Sequence, residues 1–420
     1  MSFVRTLRSL GPGIIMAATA IGTSHLILSP VAGARFGYEL IWLVLFSHVF
    51  KYPAFEFGPR FAIATGVSLI RGYQRVPGPK NWAVWAFLAT TVLQGLTLLA
   101  GMLSVTAAIL VASFGTLSLT TWVILVGLAI IALHRAGKYP ALALGSKVAM
   151  LVLTVVSVVA FLAAPPRLSD LAQMVVPSIP AGSLVLVAAI LGLMPTGINV
   201  AIWHSLWALE HLDEWKKIAK DKKALLRLGM TDLNVGYILS AVLAVIFVSL
   251  GANLLLPRGL TPAGVDVAVT LSKIYTEVLG AWMYPVFMLA AFAAMFSTTY
   301  SVMDGFPRTF STLLKTLFPE RQGLKREADP AYWIFMAVIF TFAIFANYIF
   351  PNPVRMVQLI GLVSLAVAPL LYGLNYYCVT RLIEDPSMRP SLGLRVWGLA
   401  GFWFMTAAVV FALYVRLGFL

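Results

Sequence analysis

Residues 11–33 read GPGIIMAATAIGTSHLILSPVAG, and residues 186–205 read LVAAILGLMPTGINVAIWHS. A helix crosses the hydrocarbon core of a bilayer in about 20 residues, so each stretch is long enough to span. Each is also interrupted near its middle, the first by Gly22-Thr23-Ser24-His25 and the second by Met194-Pro195-Thr196-Gly197. Pro195 removes a backbone donor and Gly197 loosens the next turn, so carbonyls near Leu191 to Leu193 are expected to lose their helical partners. Paired interrupted spans are a property of transporters built from inverted repeats, whose broken helices expose backbone to the substrate at the membrane midplane. The competing reading is a pair of ordinary kinks, since Gly and Pro are common in membrane helices.

The rest of the chain fits a membrane setting. Of 420 residues 60% are hydrophobic and 11% are charged, with mean hydropathy +0.91, against about 45–50% and about 25% in soluble domains. Eleven apolar segments are expected to span: 11–34, 38–60, 82–112, 119–134, 139–164, 183–208, 230–257, 276–305, 331–350, 354–380 and 394–417. Backbone in lipid must satisfy its own hydrogen bonds, which makes these segments helices. The alternating segments of roughly ten residues that a barrel needs are absent.

Charge sets the expected orientation. With the N-terminus in the cytoplasm, 22 of the 30 Lys and Arg fall on the inner side, six fall outside, and Lys51 and Lys147 lie within spans. This is the positive-inside pattern for an odd number of spans, with the C-terminus outside. It explains the net charge of +14 through contact with anionic lipid headgroups, so no nucleic acid is implied. Arg5 and Arg8 before the first span superficially suggest a signal peptide, but no small-residue cleavage site follows and the segment reads as a retained span. The charged segment Glu210 to Arg227 reads as a cytoplasmic helix continuing or following the sixth span, a solvated connector. The single cysteine, Cys378, offers neither a disulfide nor a thiolate metal site.

Several motifs carry a resemblance. Gly11-Pro12-Gly13, with Ala17 and Ile21, resembles the GPGxxxAxxxIDPGN first helix of the NRAMP divalent-metal transporters. Ala34-x-Phe36-Gly37-Tyr38 resembles their AGAxFGY segment, Ala62-Ile63-Ala64-Thr65-Gly66 their GIATG, and Leu193-Met194-Pro195 their MPH. The resemblance implies the LeuT-type fold: an all-α membrane protein with a 5+5 inverted repeat, broken first and sixth helices, and one extra helix. The repeats would run approximately over 11–164 and 183–380, with the extra helix at 394–417, in a single transporter domain.

Mapped residue by residue, the family's metal-binding DPGN falls on Gly22, Thr23, Ser24 and His25, so its Asp and Asn are both replaced. Met194 keeps the family's thioether, Leu191 keeps the position of its ligating carbonyl, and the MPH histidine becomes Thr196. Gln358 stands for the tenth-helix glutamine, two residues out of register from Pro369. A substrate site is expected at Gly22, Thr23, Ser24, His25, Leu191, Met194, Thr196, Asn199 and Gln358, with His25, Met194 and Leu191 as candidate metal ligands. Dications prefer anionic or strongly polar ligands, so binding should be weak. The family's proton route uses acidic residues on the third helix and an arginine on the ninth, whereas 82–112 and 333–350 carry no Asp, Glu, His, Lys or Arg.

The ionisable residues expected within the bilayer are His25, His48, Lys51, Glu56, Lys147 and His204, with Asp304 near an end. Such residues are costly in lipid and mark functional or paired positions. Lys51 and Glu56 are too poorly spaced to pair directly, so partners on other helices are expected, Lys147 for Glu56. Asp304 and Arg308 resemble the end of a gating helix against which Arg5 or Arg8 closes.

No nucleophile, base and oxyanion set is visible, and neither an enzyme nor a resident cofactor is expected. The sequence therefore points to a secondary transporter of the inner or plasma membrane. The expected cargo is a divalent cation, held weakly and without tight proton coupling. The alternatives are a small organic or uncharged solute, or a non-transporting receptor or subunit. A monomer is the default.

Overall fold

The computed structural model describes residues 11–13, 16, 20, 22–136, 139–167, 170–318, 320 and 329–416. Arg5, Arg8, Ala17 and Ile21 lie outside these residues, as do the side chains of 139–147, Lys147 among them. Within them the chain is helical, with no strand.

The first span reaches a turn at Gly22, winds as a π-helix over Ser24–Leu28 and continues as α1, Ser29–Phe36. Then follow α2 (Ile41–Thr65), α3 (Trp82–Phe114), α4 (Leu119–Ala136) and α5 (Tyr139–Ala163). The sixth span is two helices, α6 (Leu184–Leu193) and α7 (Asn199–Ile218), with non-helical chain between them. The second half comprises α8 (Lys222–Leu250), α9 (Val267–Leu279), α10 (Met283–Leu317), α11 (Pro330–Ile349), α12 (Pro353–Tyr377) and α13 (Leu392–Arg416). Among the described residues seven helical stretches are long and apolar enough by themselves to cross a membrane, that containing α8 running on to Arg258 and that containing α12 to Leu382.

The charged segment Glu210 to Arg227 continues the sixth span as a helix, α7 running to Ile218, and the seventh span starts early, at Lys222, where α8 is capped by Asp221, whose side chain accepts from Ala224 N. The eighth span starts at Met283 and runs to Leu317, with the separate helix α9 before it.

The packing places both breaks in the interior. Helix α1 packs on α8 and its π-helical continuation, while α7 packs on α2. Helix α3 packs on α10 and α12, and α10 on α5. Numbered by span, these contacts are 1 with 7, 6 with 2, 3 with 8, 3 with 10 and 8 with 5; adding five to one member of a pair and subtracting five from the other generates its counterpart, as a five-span repeat would.

Glycines allow the closest approaches. A Cβ on Gly192 would lie 1.9 Å from Gly361 O, and one on Gly251 would lie 2.3 Å from Pro30 O. The helices thus touch through backbone at these points, bringing α6 against α12 beside the sixth-span break. Large apolar side chains such as Leu151, Leu162, Trp403 and Val410 remain exposed on α5 and α13, the arrangement that lipid contact requires.

Candidate substrate site between the two helix breaks

At the sixth-span break Met194 is extended (φ −100°, ψ 131°), the Met194–Pro195 peptide is cis, and α7 resumes at Asn199. Backbone groups buried without partners are costly, and the break satisfies its carbonyls through side chains from elsewhere. Lys51 Nζ donates to the carbonyls of Leu191 (2.9 Å), Gly192 (3.0 Å), Met194 (2.8 Å) and Thr196 (2.9 Å). Ser47 Oγ donates to Met194 O at 2.6 Å, and Ser24 Oγ, from the first-span break, lies 3.1 Å from Pro195 O and 2.7 Å from Ala20 O. One hydroxyl thus sits between the two breaks.

Between them lies a small enclosed cavity of about 10 Å³, room for roughly one water-sized body. Of the sequence-predicted site residues, Thr23, Ser24, Thr196 and Asn199 line it, beside Met102, Trp203 and apolar side chains including Leu98 and Val302. Asn199 is buried and its Oδ1 has no hydrogen-bond partner in the protein. Ser364 Oγ on α12 is likewise unpartnered, and lies 3.6 Å from where a Gly197 Cβ would stand. Two polar atoms at this break are thus free to meet a ligand.

The other predicted site residues fall elsewhere. His25 does not line the cavity: its Nδ1 is hydrogen-bonded to Ser24 Oγ (2.9 Å), and its Nε2 meets Ser240 O (2.9 Å) and Ser240 Oγ (3.0 Å). Ser240 Oγ also meets His48 Nε2 at 3.3 Å, so this histidine pair braces α8 against the first two spans. Both His25 nitrogens are thereby used, which leaves no lone pair for a metal while these bonds hold. The carbonyl oxygens of Leu191 and Met194 face the Lys51 ammonium, and the Met194 side chain is fully buried away from the cavity lining. Gln358 lines a different cavity, about 340 Å³, with Arg35, Arg355, Asn352 and Thr261; it sits too near the start of α12 to reach the breaks. Among the described residues no group of three or more His, Cys, Asp or Glu is placed to hold a metal ion.

Glu56, Arg308 and Asp304 have these partners among the described residues. Glu56 pairs with Arg60, one turn along α2, through Nε at 2.8 and 2.9 Å. Arg308 pairs with Glu210 at 3.0 Å, and Asp304 accepts from the Tyr332 hydroxyl at 2.6 Å. Asp232, which the sequence reading passed over, holds the start of the first span by accepting from Gly11 N (2.8 Å) and Gly13 N (2.5 Å). The GPG motif thereby gains a structural reason: a Cβ on Gly13 would lie 2.0 Å from Asp232 O.

Residues 13–417 match the family described as natural resistance-associated macrophage protein-like, Nramp. The chain belongs to the Nramp family. It is 30% identical over 397 residues to the uncharacterised protein PM0681 of Pasteurella multocida, covering 89% of this chain and 85% of that protein. It is 26% identical over 278 residues to the divalent metal cation transporter MntH of Bacillus subtilis, covering 62% and 60%. In structure this Nramp chain resembles the manganese transporter of Eremococcus coleocola, with TM-score 0.74 at 14% identity over 99% of this chain and 89% of that one. It also resembles Mhp1, a nucleobase-cation-symport-1 family transporter, with TM-score 0.60 at 13% identity over 96% and 92%. At such identities the likeness concerns fold: this Nramp chain has the LeuT-type transporter fold and is an integral membrane protein.

Proposed function

We propose that this Nramp chain is a secondary transporter working by alternating access, with the cavity between the two breaks as its central site. Its cargo is a divalent metal cation, bound weakly and with selectivity unlike that of its relatives. The observation that carries the reading is the lining itself, in which Thr23, Ser24, Thr196 and Asn199 offer neutral oxygens and Met102 a thioether, in a family whose named members include divalent metal cation transporters. Lys51 adds a nearby positive charge. Lys51 Nζ lies 2.9 Å from the carbonyl of Thr196, a residue of the lining, and a positive charge so placed opposes a dication. Tight binding is therefore not expected.

Coupling to protons is expected to be loose. The third and ninth spans, α3 and α11, contain no Asp, Glu, His, Lys or Arg; their contact includes a neutral bond from Asn347 Nδ2 to Ala100 O at 2.9 Å. For orientation we take the N-terminus and Lys217 as cytoplasmic, as the charge distribution requires. Labelling of Lys217→Cys from outside intact cells would refute this.

A second reading is favoured by the same Lys51 charge and by Arg35 and Arg355 at the larger cavity: a small uncharged or anionic organic solute. Uptake into proteoliposomes with Mn²⁺, Mg²⁺, Ca²⁺ and a set of small organic solutes separates the two. The first reading expects divalent uptake that saturates only at high concentration, without a fixed proton stoichiometry. Solute uptake with no divalent uptake would replace it by the second.

A further inference from the structure

The arrangement around Lys51 has the form of an ion site. Four neutral oxygens, all backbone carbonyls of the sixth-span break, surround one cationic nitrogen at 2.8 to 3.0 Å. Carbonyl oxygens in such a cluster replace the hydration shell of a bare monovalent cation, as in potassium-selective filters. Lys51 is fully buried, and among the described residues no carboxylate is within ion-pair distance of it; Glu56, on the same helix, is held by Arg60. The ammonium has three protons for four acceptors, so at least one proton is shared. This shell is thus shaped by the number of freed carbonyls rather than by the donor capacity of lysine.

The energetics explain why a charge stays there. Burying an ion is costly, and hydrogen bonds to a charged donor, stronger than those between neutral groups, offset that cost. Without a cation, the carbonyls of Leu191, Gly192 and Thr196 would lose this donor in a buried place, while Met194 O would keep Ser47 Oγ, and buried groups left unpaired are costly.

We propose that Lys51 is a tethered monovalent cation occupying a carbonyl ion site built by the sixth-span break, and that removing its side chain turns this place into a site for a free potassium-sized or ammonium ion. The side chain locks α2 to the break without any mobile ion, so the wild-type fold does not depend on one. The inference stands on these contacts alone and holds for either cargo; its failure would remove the argument from the Lys51 charge and leave the cavity between the breaks as the central site.

The test uses the purified full-length chain, with thermal melting followed in K⁺, NH₄⁺, Na⁺ or choline at matched ionic strength. Wild type should melt at the same temperature in all four media. Lys51→Ala should melt lower in choline and recover at least half of the loss in about 100 mM K⁺ or NH₄⁺, as mass action requires of an ion that binds only the folded state. Where Lys51→Ala yields no folded protein in choline, extraction in K⁺ or NH₄⁺ should restore it, and Lys51→Thr provides the same comparison with a smaller hollow. The proposal is overturned by a folded variant indifferent to all cations, by variants that no cation restores, or by Lys51→Met melting like wild type.

Discussion

Glu56 and Arg60 lie one helical turn apart on α2, with side chains 4% and 12% exposed, and Arg60 Nη1 also donates to Met388 O at 2.7 Å. The i,i+4 spacing was legible in the sequence. The pairing is missed because Arg60 reads as an inner-loop charge, whereas α2 extends to Thr65 and takes it inside. Removing one member of a buried pair leaves the other uncompensated, at a cost of about 3–5 kcal/mol. Glu56→Gln should accordingly lower the melting temperature strongly, and Glu56→Met combined with Arg60→Met should recover much of the loss. Equal melting of Glu56→Gln and wild type would show that the pair contributes nothing. The partners of Lys51 were illegible for a different reason. Backbone carbonyls carry no sequence signature, and these lie 140 to 145 positions away.

At the scale of elements, the sixth-span break was readable because Pro195 and Gly197 act through local chemistry. The first-span interruption was only partly so, since a π-helix replaces the expected loss of helix at Ser24 and His25. Gln358 shows the limit of counting along a helix. A shift of two residues turns a side chain by about 200°, and the structure puts Gln358 near the start of α12 in another cavity.

The start of α11 provides a pH test. Asp329 caps this helix, accepting from Ala331 N at 3.0 Å, from Ser311 Oγ and from Lys315 Nζ at 3.1 Å. Burial pulls its carboxyl up, but these hydrogen bonds together outweigh it and hold the group below its ordinary value of 3.8. A group depressed in the folded state adds stability above its unfolded value and loses it as pH falls through the folded one. Wild type should thus lose an increment of melting temperature as pH drops below about 4, and Asp329→Asn should lack that increment. Parallel acid profiles for the two proteins would contradict the assignment.

For the whole molecule, composition and charge made the membrane class plain, and the motifs made the family plain. Cargo is less legible, because the residues that distinguish this chain are replacements: Gly22 and His25 stand where the resemblance expects an Asp and an Asn, and His25 turns to Ser240. Asn199 and Met102 then carry the polar and soft character of the cavity, and only assembly of α3 against both breaks brings them together.

The central claim is that cargo passes through this cavity, and the most direct measurement compares uptake by wild type and Asn199→Leu in the same proteoliposomes. Leucine removes the unpartnered Oδ1 and fills a space that holds about one water, so the variant, verified as folded by its melting curve, is expected to lose at least tenfold in uptake of whichever cargo wild type accepts. Undiminished uptake by a folded Asn199→Leu would contradict the account, because the cargo would then cross without using the space between the two breaks.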